Sequence, residues 1–177
     1  MAKNSKSVFE LPAFNQTGDL NVIVETIQGS RSKYKFDPDL NCFKLSNILT
    51  EGSVFPFDFG FIPSTQGEDG DPLDVLLLIE QGAFTGCLIP SKLIGAITAE
   101  VTEKGKTERN DRFIAVAKES ERFRLIKQMN DLDSVMLRQI EHFFVSYSEM
   151  EHKRFKVKQR LGATQALKLI KKQMTTK

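Results

Sequence analysis

The chain has 177 residues, the size of one domain, and its 40% hydrophobic and 27% charged residues exclude an intrinsically disordered chain. Lys and Arg number 25 against 23 Asp and Glu, and a net +2 gives no strong field for nucleic acid or an anionic membrane surface. No apolar run approaches the ~20 residues of a membrane span, residues 1–21 lack the apolar stretch of a secretory signal, and Cys42 and Cys87 offer neither a disulfide framework nor a metal-type pair. The expectation is one compact cytoplasmic domain over 1–177.

Residues 22–27 are rich in β-branched side chains and read as a strand, broken by Gly29-Ser30-Arg31-Ser32. Segments 33–36 and 42–45 flank Asp37-Pro38-Asp39-Leu40-Asn41, a hairpin signal. Residues 55–62 place Phe55, Phe57, Phe59 and Phe61 on one parity, so a strand there carries four rings on one face, with Pro56 marking an edge or an irregular start. Such a stripe can stack bases, although buried core is the commoner use. Residues 74–79 form a short apolar run, the mark of a strand buried on both faces. Segments 93–101 and 112–117 read as a hairpin joined by a charged connection with Gly105 near its centre. After Glu119 the period lengthens: Met136, Ile140, Phe143, Phe144 and Tyr147 share one helix face, with Asp131 or Asp133 as the cap. Gly162 precedes a second short helix containing Ala166, Leu167 and Ile170. Strands first and helices last predict an α+β fold, a small β-barrel with helices packed outside it.

The chemistry concentrates in Gly67-Glu68-Asp69-Gly70-Asp71-Pro72-Leu73-Asp74-Val75. Regular strand geometry puts Asp69 and Asp71 on one face and Asp74 on the other, but Gly70 and Pro72 permit a bend that converges all three, expected at the open end of the barrel. Carboxylates about 4 Å apart repel by several kcal/mol at an effective dielectric near 20, and a divalent cation removes that cost. Oxygen-only ligands point to Mg²⁺ or Mn²⁺. Spacing alone leaves a plain surface turn equally open. An EF-hand is excluded, because counting from Asp69 puts Asp74 where that loop needs Gly. Glu25 on the first strand, Lys33 and Lys35 on the second, and Arg112 after the charged hairpin complete a set suited to phosphate-ester or anhydride chemistry. His142 and His152 read as helix-surface or packing residues, both cysteines as buried thiols, and Lys171, Lys172 and Lys177 as a solvated helix end.

These residues resemble the family I soluble inorganic pyrophosphatases. The signature D-[SGDN]-D-[PE]-[LIVMF]-D is matched in full from Asp69 to Asp74, and V-I-V-E at 22–25, K-Y-K at 33–35, F-P-F-D-F-G-F-I at 55–62, R-F-I-A-V at 112–116 and H-F-F-x-x-Y at 142–147 follow in the family's order. The match covers roughly residues 20–155. The resemblance implies an OB-like five-stranded barrel flanked by helices, and hydrolysis of pyrophosphate to two phosphates with Mg²⁺. It implies Asp69, Asp71, Asp74 and Glu25 as metal carboxylates, and Asp71 as the acceptor of a proton from the attacking water. Lys33, Arg112 and Tyr147 then bind phosphate. It also implies a homo-oligomer, commonly a hexamer in bacteria, and no nucleic-acid or membrane partner.

The sequence departs from the family at several positions. Asn47 stands where an arginine is usual, Phe55 and Phe59 replace tyrosines, and Ser148 replaces a lysine. In the charged hairpin Glu103 stands for the first aspartate and Asn110 occupies the register of the second. Glu108 and Asp111 are the possible stand-ins, with Asp111 preferred if a bulge turns it inward. Three alternatives accompany the enzyme: a related hydrolase for a different diphosphate, a catalytically weak or inactive protein of the same fold that binds metal or phosphate, and an OB-type nucleic-acid binder.

Overall fold

The computed structural model describes residues 7–175. In chain order it contains β1 (Leu20–Thr26), β2 (Ser32–Asp37), β3 (Cys42–Ile48), β4 (Asp58–Ile62), β5 (Leu73–Leu78), β6 (Leu88–Glu103), β7 (Lys106–Arg109), β8 (Arg112–Ala117), α1 (Ser134–Met150), β9 (Arg154–Gly162) and α2 (Ala163–Lys172). Strands β1, β4, β5, β8 and β6 pair in that order, and β6 pairs back to β1. The ring closes because β6 is 16 residues long: its start pairs with β1, its middle with β8, and its end with β7 and β9. Only β5 and β8 run parallel in the ring. This is the expected OB-like α+β barrel, with the β2–β3 hairpin as a separate two-stranded sheet.

Alternation along β5 explains how the barrel is filled. Leu73, Val75 and Leu77 join Val22, Val24, Ile62, Ala96, Phe113 and Ala115 in a cluster fed by all five ring strands, and α2 adds Ala166 and Ile170. Leu76 and Leu78 face the other way, into a cluster with Ile114, Val116, Ile97 and the α1 residues Leu137, Ile140 and Phe144. Each such aliphatic or phenyl group contributes about 1.5–3 kcal/mol by leaving water, and this seam fixes α1 to the barrel's flank. Asp133 caps α1, its carboxylate accepting from the Val135 amide at 3.2 Å. Gly60 is required where β4 crosses β1, since a Cβ there would sit 2.0 Å from the Ile23 carbonyl oxygen.

The structure corrects the sequence reading in four places. The strand expected over 55–62 begins only at Asp58, because the chain before it is held as a loop: the Phe55 amide donates to Ser30 and its carbonyl accepts from Gly29. The phenylalanine stripe therefore splits. Phe55 and Phe59 pack into the α1 seam, while Phe61 joins Phe36 and Ile23 in a third cluster. All three are buried, which removes the base-stacking face on which a nucleic-acid reading relied. The hairpin after β6 is made with β7, through Lys104 and Gly105 at φ 49° and 82°, the left-handed pair of a two-residue turn. Strand β8 returns afterwards to pair with the middle of β6. Strand β9 has no sustained apolar alternation to mark it in the sequence, because polar and charged side chains interrupt it, and among the described residues it pairs only with β6. The cysteines are not buried thiols: Cys42 is exposed and Cys87 half-buried. No helix among the described residues is long and apolar enough to cross a membrane.

Candidate active site

A cleft of about 930 Å³ opens between the β2–β3 hairpin, the loop before β5, the β6–β7 hairpin and the C-terminal end of α1. The aspartate loop enters it through a tight turn. The Gly67 amide donates to the Asp71 carbonyl at 2.7 Å, and Gly70 takes φ 85°, which strongly favours glycine. Asp69 Oδ1 accepts from the Asp71 amide at 3.1 Å. Asp74 is the first polar side chain of β5, on the parity of Leu76 and Leu78, which pack toward α1.

All three aspartates and Glu25 line this cleft, and each aspartate has a donor from the protein itself. Asp69 accepts from the Asn110 amide nitrogen at 2.8 Å, Asp71 from the Lys35 ammonium at 2.5 Å, and Asp74 from the Arg112 guanidinium at 2.5 Å. Among the described residues no three acidic, His or Cys side chains form a ready-made cage for an ion. The cleft is nevertheless crowded with negative charge. Burial pushes the Glu25 carboxyl up to about 7, and the charge of Asp74 adds to this, against the Phe36 amide that donates to it at 2.7 Å. Burial and then the charges of Asp74 and Asp71 likewise raise Asp69. Carboxylates that resist ionisation in one another's field, with oxygen as their only donor atom, fit a hard divalent cation.

The cationic wall is assembled from distant segments. Lys33 donates to the Tyr147 hydroxyl at 2.5 Å, Tyr147 donates to Glu151, and the Lys33 ammonium lies 3.9 Å from Glu151. Burial lowers the Lys33 ammonium and raises the Tyr147 phenol, the latter further through Glu151. Burial opposes the charge of Glu151, yet Lys33, the Tyr147 hydroxyl and Asn47 together hold its carboxyl below the usual range. Arg112 has a side chain only 8% exposed. Its guanidinium carbon lies 5.2 Å from the Phe144 ring centroid and 5.4 Å from that of Phe155, within cation–π range. One terminal nitrogen serves Asp74, the Asn110 side-chain oxygen and the Asp111 carbonyl.

Of the residues singled out in the sequence, Glu25, Lys33, Asp69, Asp71, Asp74, Glu103, Arg112 and Tyr147 line the cleft, and Asp111 does not. The Asp111 side chain is 3% exposed and turned away, accepting from the Ala99 amide at 3.2 Å and from Arg109 at 2.8 Å. The inward bulge postulated for it is not formed, so Asn110 keeps the inward register and reaches Asp69. Glu103 pairs with Lys153 at 3.2 Å, and Glu108 with Lys106 at 2.6 Å. Sequence reasoning named Lys35 among the cations and Asn110 in the hairpin register without their carboxylate partners, Asp71 and Asp69, and missed Glu151. Lys35 shares the parity of Lys33, and Glu151 lies four residues after Tyr147, so period-2 and i,i+4 spacing were available signals. Asn47 donates to Glu151 at 3.3 Å, an uncharged contact where a cation is usual.

The sequence profile of the inorganic pyrophosphatase family matches residues 22–177. The inorganic pyrophosphatase of Synechocystis is 38% identical over 143 residues, 81% of this chain and 82% of that protein. That of Halalkalibacterium halodurans is 35% identical over 151 residues, 85% and 90% of the two chains. Among solved structures, the inorganic pyrophosphatase of Thermus thermophilus superposes with TM-score 0.85 at 29% identity, covering 94% of this chain and 95% of its own. The enzyme of Neisseria gonorrhoeae gives 0.82 at 32% identity, covering 92% and 94%. Fold, motif order and profile agree over nearly the whole chain: it belongs to the inorganic pyrophosphatase family and is, by that membership, an inorganic diphosphatase.

Proposed function

We propose that this protein hydrolyses inorganic pyrophosphate to two phosphates with Mg²⁺ as cofactor, as one domain acting in the cytoplasm as a homo-oligomer. The observation that carries the reading is the shared cleft, in which Asp69, Asp71, Asp74 and Glu25 face Lys33, Arg112 and Tyr147. The four carboxylates would hold Mg²⁺, with Glu103 the hairpin carboxylate nearest in role. When bound, Mg²⁺ supplies neutralisation of phosphoryl oxygens and acidification of water.

The chain's own residues do the rest. Asp71, at the tip of the glycine turn, accepts the proton of the attacking water. Lys33 and Arg112 take phosphoryl oxygens, and the Tyr147 hydroxyl adds a hydrogen bond. Both cations are buried against rings, so their charge is little screened by solvent. A non-catalytic metal- or phosphate-binding module is less favoured, because the relatives matching most of the chain are named as pyrophosphatases.

Phosphate release from pyrophosphate at millimolar Mg²⁺ tests the reading. The intact protein should release phosphate well above background, and Asp71→Asn should lower the rate by about 10²–10⁴, the usual worth of a positioned proton acceptor. An inactive pure protein, or full activity in Asp71→Asn, overturns the function or the role respectively.

A further inference from the structure

Strand β2 sends two lysines toward the cleft, and they have different partners. Lys33 turns to Tyr147 and Glu151, whereas Lys35 places its ammonium 2.5 Å from Asp71 Oδ2. Glu25 and Asp74 line the same cleft, and their charges add to the attraction of Asp71 for the Lys35 ammonium. Its side chain is 41% exposed and that of Asp71 is 50% exposed, so both partners of the pair remain open to solvent. Arg112 differs: it is buried among phenyl rings and shared between Asp74, Asn110 and a backbone carbonyl, so its guanidinium is fixed from several sides.

We propose that the Lys35 ammonium is a built-in counter-cation that takes the place of one divalent ion on Asp71. This refines the four-carboxylate assignment above: Asp69, Asp74 and Glu25 keep the metal, and Asp71 gives up its share of it to the ammonium. The inference deepens the proposed function and rests on its assignment of these carboxylates to metal. Two positive charges within about 4 Å of each other repel strongly at the dielectric of a half-buried site, so ammonium and ion cannot both sit close on one carboxylate at full strength. A tethered cation also acts at a fixed local concentration. Asp71 is therefore neutralised and oriented at any level of free metal, while the remaining carboxylates depend on it.

Calorimetric titration of the full chain with Mn²⁺ tests this directly. Lys35→Met should bind one more ion per chain, or bind Mn²⁺ at least about tenfold more tightly, as removal of a cation a few ångström away implies. Lys35→Gln repeats the test with a polar side chain, and Lys35→Arg, which keeps the charge, should bind like the parent. In chelator the thermal midpoint of Lys35→Met should fall below that of the parent, and Mn²⁺ should restore it. Lys118→Met removes the exposed partner of Asp19, distant in role, and should change neither quantity. Parental stoichiometry and affinity in both Lys35→Met and Lys35→Gln overturn the proposal. The double variant Asp69→Asn/Asp74→Asn separates the two levels. If it loses Mn²⁺ while the Lys35 variants behave as the parent, only the counter-cation fails. If it binds Mn²⁺ as the parent does, the aspartate loop is not the metal site, and the assignment beneath both readings falls.

Discussion

The Lys33 ammonium and the Tyr147 hydroxyl, 114 residues apart in sequence, meet at 2.5 Å, and the Tyr147 hydroxyl donates a hydrogen bond to Glu151. The cationic wall of the cleft is thus held from behind by the end of α1. A cation contributed by a hairpin outside the barrel gains a fixed position only because α1 is packed on the barrel's flank.

Tyr147→Phe removes the link and leaves Lys33 and Glu151 to each other at 3.9 Å. The KM for pyrophosphate should rise about tenfold, the effect of roughly 1.4 kcal/mol of lost binding. Stability should drop by about 1–2 kcal/mol, because a half-buried Glu151 loses a hydrogen-bond donor. Steady-state kinetics and urea unfolding read the two effects separately.

Arg112→Met keeps the volume among Phe59, Phe144 and Phe155 but strands Asp74. Breaking a buried ion pair costs about 3–5 kcal/mol. Asp74 retains 22% side-chain exposure, so water relieves part of this, and a loss of about 2–3 kcal/mol is expected. Arg112→Lys should recover some stability and little activity, since an ammonium lacks the planar fork that reaches Asp74 and Asn110 while stacking on rings. Denaturation curves with phosphate-release rates check both.

Glu25 makes the metal-free protein pH-dependent. Its ordinary value of 4.5 is pushed up to about 7 on folding, so the native state holds a proton that the unfolded chain releases earlier. Its contribution is complete below about pH 4.5, declines as pH rises, and is lost above about pH 7, a change of about 3 kcal/mol. Glu25→Gln cannot titrate and keeps an acceptor for the Phe36 amide. In chelator, the difference in unfolding free energy between the two proteins should slope downward through this window, and a flat difference contradicts it.

The β6–β7 hairpin should separate structure from metal. Asp111→Ala should cost about 2 kcal/mol, by orphaning the Ala99 amide and releasing Arg109, without altering the Mg²⁺ requirement. Glu103→Ala should raise the Mg²⁺ concentration for half-maximal activity several-fold with little effect on folding, because Glu103 lines the cleft. The reverse pattern would return the hairpin's metal role to Asp111.

Sequence alone determined the elements whose pattern is local. The aspartate loop was legible because Gly70 and Pro72 permit a bend within a local run of carboxylates, and α1 because its apolar spacing and the Asp133 cap are written into adjacent residues. Tertiary structure decided what depends on partners distant in the chain. Pairing with β1 and β5 starts β4 at Asp58, leaving Phe55 to pack in the α1 seam. Pairing of Asn110 with Ala99 sets the register at the exit of β7, turning Asp111 to Arg109 and Asn110 to Asp69. A one-residue choice of register reverses every side chain that follows, and nothing in residues 102–111 fixes that choice before β6 is in place. The same holds for Lys35: its parity was readable, but its partner exists only once the hairpin folds across the aspartate loop.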